Sequence, residues 1–179
     1  MSKNHYTPTA KALHWLIAAL IIGVLALGIY MHDLPLSPEK LQLYSWHKWA
    51  GVTIFLLVLV RLAWRATHQP PALPESMPRP LQWIAHGGHL ALYLLIIAIP
   101  LSGWLMSSAK GFQTVWFGVL PLPDLVAKDK ALGELLRDVH EYLNLALLAL
   151  LAGHVAAALK HHWVDKDDIL VRMLPARQH

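Results

Sequence analysis

Residues 138–163 read DVHEYLNLALLALLAGHVAAALKHHW, and eighteen of them, Tyr142 to Leu159, carry no charge. A run of that length and composition crosses a bilayer as a helix. It also carries two histidines, His140 and His154, fourteen residues apart. At about 100° per residue, fourteen steps fall within roughly 40° of four full turns and rise about 21 Å. Two imidazoles therefore leave one face of the helix, one near each membrane surface.

The rest of the chain supplies the helices for this one to meet. ALHWLIAALIIGVLALGIYMH runs from Ala12 to His32 without a formal charge, LYSWHKWAGVTIFLLVLV precedes Arg61, and Pro80 to Ala109 is uncharged around LALYLLIIAIPLSGWLM. Approximate spans at 12–31, 44–64, 85–106 and 140–160 follow. The reading is an all-α integral membrane four-helix bundle, one domain over residues 1–179. Pro100 and Gly103 are tolerable in a membrane helix and can kink it. Pro70, Pro71, Pro74, Pro78 and Pro80 stiffen the second connection. Lys110 to Asp138 is the longest loop, with room for a short surface helix from Lys128 to Arg137.

Composition agrees. Of 179 residues, 56% are hydrophobic and 15% charged, with mean hydropathy +0.42, against about 25% charged in ordinary soluble domains. Without cysteine there is no disulfide, thiolate-held iron–sulfur cluster or thioether-attached haem. The first run has no small-residue cleavage site and is not a secretory signal. Nine Lys and Arg lie on the side of the termini and six on the other, giving net charges of +5 and −1. This places both termini in the cytoplasm. The overall +4 reports topology, not nucleic-acid binding. Trp15, Trp46, Trp49, Trp64, Trp83, Trp104 and Trp163 fall near span ends, as interfacial belts do.

Antiparallel threading puts His14 level with His154 and His47 level with His140. Each pair comes from two helices, as two axial ligands of a flat macrocycle must. Neutral imidazole is a good donor to iron, and bis-histidine ligation favours electron transfer over oxygen binding. The spacing stacks two non-covalent b haems across the bilayer. Gly51, four residues after His47, and Gly153, beside His154, let a ring approach the backbone. Arg61, fourteen residues after His47, reaches the inner level, where it can pair with a propionate. Lys48 offers the same at the outer level or snorkels to the interface. The competing reading is a metal transporter or other haem- or metal-handling protein with histidine ligands. It calls for carboxylates inside the spans, which these lack. His86, His89, His161 and His162 share one membrane face. Interfacial polarity explains them, as does a quinone-head pocket in which an imidazole donates a proton. His5, His32, His68 and His179 read as solvated.

TAKALHW around His14, SWHKWAGV around His47, AHGGHLALYLLIIAIPLSGW, and the stretch from Asp138 through Arg172-Met173-Leu174-Pro175 together resemble the bacterial cytochrome b561 family, over nearly the whole chain. The resemblance implies haem ligation by His14, His47, His140 and His154, in a bacterial inner membrane. It also implies exchange of electrons between the quinone pool and a partner, and His89, His161, His162 and Trp163, by their shared membrane face, are the candidate quinone-side residues. The type it is most similar to is superoxide oxidase, which oxidises superoxide outside and reduces ubiquinone. Lys110 in SSAKGF matches a basic position at that type's positive opening, and Lys48 or Arg137 can add to it. The outer sum of −1 requires any such funnel to be local. A second reading is a cytochrome b subunit serving a dehydrogenase or hydrogenase through the long loop. A homodimer or a redox partner protein is compatible with either.

Overall fold

The computed structural model describes residues 5–74 and 77–174. Lys3, Glu75, Pro175, Arg177 and His179, which enter the charge count, the closing motif or the histidine survey, lie outside them. Four helices are long and apolar enough to cross a membrane: α1 (Pro8–His32), α2 (Pro38–Thr67), α3 (Arg79–Ala109) and α4 (Lys130–Lys160). The turn His161–Asp165 prolongs α4 as a π-helix, and the short α5 (Ile169–Met173) follows.

Each long helix overshoots its expected span because its caps lie outside the apolar run. Thr7 and Ser37 accept from Ala10 and Lys40 amides, each just ahead of a proline at the first helical position, where the missing N–H costs nothing. Asp129 caps α4, its carboxylate accepting from the Leu132 amide at 3.0 Å. The surface helix expected over Lys128–Arg137 is therefore not separate. With nothing to break the backbone between Arg137 and Asp138, those residues become the opening turns of α4. The remaining loop holds a small hairpin instead, β1 (Val115–Trp116) against β2 (Leu120–Pro121), antiparallel.

α1 packs on α2, α2 on α3 and α3 on α4. The buried centre is Ile17, Ile21, Ile54, Ile99 and Leu147, drawn from all four helices, while much of the outward surface is exposed leucine, isoleucine and valine. That inversion suits lipid, which solvates such side chains as well as a core does.

Four tryptophans tie the helix ends to the connections. Trp15 Nε1 donates to the Met173 carbonyl, Trp49 to Val115, Trp104 to Pro123, and Trp64 to Thr7 Oγ1. Arg172 pins the C-terminal segment, donating to the Ala72 carbonyl at 2.8 Å and pairing with Asp168 at 2.8 Å.

A candidate two-level histidine site

A seven-residue step orders the interior of all four helices. It runs His14, Ile21, Gly28 on α1; His47, Ile54, Arg61 on α2; His89, Ile96, Gly103 on α3; and His140, Leu147, His154 on α4. Two helical turns separate successive members, so each trio keeps one face. Antiparallel neighbours bring these faces into three levels. His14, Arg61, His89 and His154 lie towards the termini. The Ile21, Ile54, Ile96 and Leu147 level packs in the middle. Gly28, His47, Gly103 and His140 lie towards the long loop.

At each polar level two imidazoles face one another. The His14 and His154 ring centroids are 6.3 Å apart with planes at 63°. His47 and His140 are also 6.3 Å apart, with planes at 73°. The sequence thus brings together all four histidines it singled out, in the expected pairs.

The loop-side rings rest on glycines that sequence reading did not connect with them. A Cβ on Gly103 would come 3.2 Å from His140 Cε1, and one on Gly28 would come 3.3 Å from His47 Cε1. Their meaning becomes visible only once helices are paired, because each glycine serves a ring on another helix. His140 Nδ1 lies 3.1 Å from the Ile99 carbonyl and 2.9 Å from Ser102 Oγ, which itself donates to the Ile99 carbonyl at 2.8 Å. A carbonyl only accepts, so Nδ1 carries the proton and Nε2 keeps its lone pair for a metal. His47 Nδ1 is buried without a hydrogen bond of proper geometry, beside the Val24 carbonyl. Val24 and Ile99 each stand one turn before the glycine that receives the ring, so the two seats share one design. Gly51 and Gly153 differ: a Cβ on either meets no protein atom within 4 Å.

The terminal-side level is more polar. His89 packs edge-on against His154 at 5.5 Å between centroids. Arg61 Nε donates to Tyr93 Oη at 2.9 Å and Nη1 reaches the Ala10 carbonyl at 3.4 Å, which places the guanidinium one turn from His14, at the expected depth. The other proposed quinone-side residues do not join this group. His161 is held by the C-terminal segment, Nδ1 lying 2.6 Å from Asp167 and 3.2 Å from Asp165. His162 and Trp163 are exposed. Asp165 and Asp167 escaped sequence reading because they lie beyond the apolar run: Asp165 stands four residues after His161, and Asp167 is turned back to it past Lys166, which takes a left-handed φ of 53°.

At the opposite end the basic residues are partly spoken for. Lys48 Nζ donates to the Phe112 carbonyl at 3.3 Å. Lys110 lies 3.5 Å from Glu134, and Arg137 pairs with Glu134 at 2.7 Å and Asp138 at 3.0 Å. Arg137 is thus neutralised by its neighbours. Lys110, Lys128 and Lys130, with Glu134, line an open cleft of about 230 Å³.

Comparison with known proteins agrees with this architecture. The family profile of prokaryotic cytochrome b561 matches residues 5–176. Cytochrome b561 homolog 2 of Escherichia coli (strain K12) is 36% identical over 96% of this chain and 92% of its own. Cytochrome b561 homolog 1 of the same strain is 28% identical, covering 98% and 99%. A protein of Yersinia pestis named probable superoxide oxidase CybB is also 28% identical, covering 97% of each chain. The match spans every helix that carries the facing imidazoles, and this multi-pass membrane chain belongs to the prokaryotic cytochrome b561 family, whose members bind b-type haem and transfer electrons.

Proposed function

We propose that the chain works as one membrane unit holding two b haems, takes electrons from superoxide at the loop end and delivers them to ubiquinone at the terminal end. Both termini are then cytoplasmic in a bacterial inner membrane, as the lysine and arginine distribution favours. One observation carries the cofactor reading: the equal 6.3 Å separation of both imidazole pairs. An imidazole nitrogen sits about 2 Å from a bound metal and about 1.2 Å from its own ring centre. Two imidazoles on opposite sides of one metal thus have centroids ~6.3 Å apart. Tetrahedral coordination, as at zinc, would draw them to ~5 Å, so the spacing fits residues that would hold a haem iron between them better than it fits a transported metal ion. Beside Gly51 and Gly153, where an added Cβ would meet nothing within 4 Å among the described residues, there is room for a flat ring.

His14 with His154 would hold the inner haem and His47 with His140 the outer one. Bound there, haem supplies reversible one-electron carriage. The chain's own residues do the rest. The isoleucine and leucine level separates the two polar levels with a mostly apolar packing around a small cavity of about 30 Å³ that Asn144 also lines. Ile99 and Ser102 fix the His140 tautomer. Arg61, steadied by Tyr93, would offer a propionate its Nη2, which has no hydrogen-bond partner among the described residues, and Lys48 would be the corresponding cation at the other level. Lys110, with Lys128 and Lys130, would attract the superoxide anion locally although the outer side as a whole is negative. Two superoxide ions give up one electron each and leave as dioxygen. One ubiquinone takes both electrons and two protons to become ubiquinol, with His89, His161 and His162, beside Trp163, as the proton-bearing groups of that face.

The name of the Yersinia pestis relative supports the substrate. The deciding experiment mixes the purified, haem-loaded chain with superoxide, with and without ubiquinone. Rapid haem reduction by superoxide, followed by reoxidation only when ubiquinone is present, is expected. Haem that superoxide leaves oxidised but ubiquinol reduces would overturn the donor and favour a subunit serving a partner dehydrogenase.

Ser102→Ala tests the tautomer argument. It removes one of two acceptors near His140 Nδ1 and leaves Ile99 in place. Both haems should remain, while the outer midpoint potential rises, because a less polarised imidazole donates less to ferric iron. A buried hydrogen bond is worth about 1 kcal/mol, or on the order of 40 mV for one electron. Redox titration reads it.

A further inference from the structure

The loop between α3 and α4 includes FQTVWFGVLPLP, residues 112–123, without a charge. Its hairpin does not stand out into water. Trp49 Nε1 donates to the Val115 carbonyl at 2.6 Å, and Trp116 Nε1 donates to Thr53 Oγ1 at 3.3 Å. Both anchors belong to one side of α2. At about 100° per residue, Trp49, Thr53, Leu56 and Val60 fall within roughly 80° of Trp46, and Trp46, Leu56 and Val60 are exposed. His47, Ile54 and Val58, on the bundle side, are buried or partly so. The hairpin thus lies on the lipid-facing stripe of a membrane helix.

Depth follows from the charge at the other end. Exposed Arg65 cannot sit in hydrocarbon, and about 20 helical residues cross the apolar core. Counting back puts the opposite boundary near Ser45. Thr53 is eight residues further in, about 12 Å at 1.5 Å per residue. Side chains on a helix tilt towards its N-terminus, so the Trp49 indole reaches up to a hairpin backbone lying near the boundary. The Trp116 indole reaches down from it. Phe117, Val119 and Leu120 at the tip are 57%, 83% and 52% exposed in the protein alone. Phe117 takes a left-handed φ of 50°, followed by Gly118 at 72°, an unusual conformation for a bulky aromatic.

We infer that the hairpin Val115–Pro121 is seated in the lipid leaflet on the loop side, with Phe117, Val119 and Leu120 inserted among acyl chains and its backbone at the headgroup boundary. Unpaired strand edges bar it from going deeper, since hydrocarbon cannot hydrogen-bond them. The neighbouring headgroups and their water can. Tryptophan at this depth is in its preferred zone. The hairpin then closes the flank of α2 against lipid, while Lys128, later in the same loop, and Lys130, at the start of α4, stay in water.

The chain has no cysteine, so single labels are unambiguous. Val119→Cys and Lys128→Cys are made in the haem-loaded protein, each checked by its haem absorbance and reconstituted in phosphatidylcholine nanodiscs. Both are treated with a polyethylene glycol maleimide. The cysteine at 128 should react at least tenfold faster than that at 119, and the difference should vanish in dodecyl sulfate. Equal rates in nanodiscs would overturn the proposal. So would ready oxidation of the Val119→Cys protein to a disulfide-linked dimer, which would mean that a second copy covers the tip. Leu120→Cys repeats the test should Val119→Cys fail to assemble.

Discussion

His140→Ala and His154→Ala should each leave about one haem per chain where the proposed complement of the parent is two, and the two losses should have different consequences. Each substitution removes one proposed ligand of one facing pair and leaves the other pair, about 21 Å away along α4, untouched. The helix should survive, because alanine is a better helix former than histidine and Leu147, midway between, keeps its packing. With His140→Ala, superoxide should no longer reduce the remaining haem at the parent rate, since the proposed entry level is gone. With His154→Ala, superoxide should still reduce what remains, while ubiquinone reduction falls to background. Pyridine haemochromogen titration gives the count, and stopped-flow absorbance gives the rates. Two haems per chain in both variants would refute the pairing. The same consequence in both would refute the direction of electron flow.

The helices and the imidazole pairing were legible because both obey a period. Four apolar runs, the second carrying Lys48 near its start, each long enough to span, leave few architectures, and a fourteen-residue step on α4 puts two donors at two depths whatever the side-chain packing. What escaped has a common physical cause: it depends on contacts between helices or on backbone that departs from the α-helix. Gly103 reads in sequence as a kink beside Pro100, yet its work is to receive a ring from α4. Ser102 is an ordinary polar residue until His140 arrives. The opening turns of α4 looked like a surface helix because their charges end the apolar run, whereas a backbone helix ends only where hydrogen bonds or caps fail. Asp167 reaches His161 through the left-handed turn at Lys166, which no 3.6-residue count anticipates. The hairpin is too short to show an alternating pattern.

The second large effect separates two kinds of glycine. Gly28→Val and Gly103→Val should lose the outer haem and keep the inner one. At Gly103 even an alanine Cβ would stand 3.2 Å from His140 Cε1 and 3.4 Å from Nδ1, so the ring must give way by a few tenths of an ångström. That tilt stretches the bonds at 2.9 and 3.1 Å to Ser102 and Ile99, so Gly103→Ala should retain the haem with a changed low-spin signal. Valine adds two methyl groups to the same contact, and overpacking of this kind costs about 1–3 kcal/mol besides the misdirected ligand. Gly51→Phe and Gly153→Phe should behave otherwise. No protein atom opposes their side chains within 4 Å of the Cβ, and relieving a helical glycine is worth up to ~1 kcal/mol, so the haem-free protein should be no less heat-stable than its parent. Yet each should block haem at its own level, the outer one for Gly51 and the inner one for Gly153, because the aromatic ring takes the room the macrocycle needs. Gly23→Phe, on an exposed face of α1, is the matched control and should keep both haems. Equal haem content in the Gly23, Gly51 and Gly153 variants would show that those backbones face lipid and not cofactor, and would leave the facing imidazoles without a macrocycle to clamp.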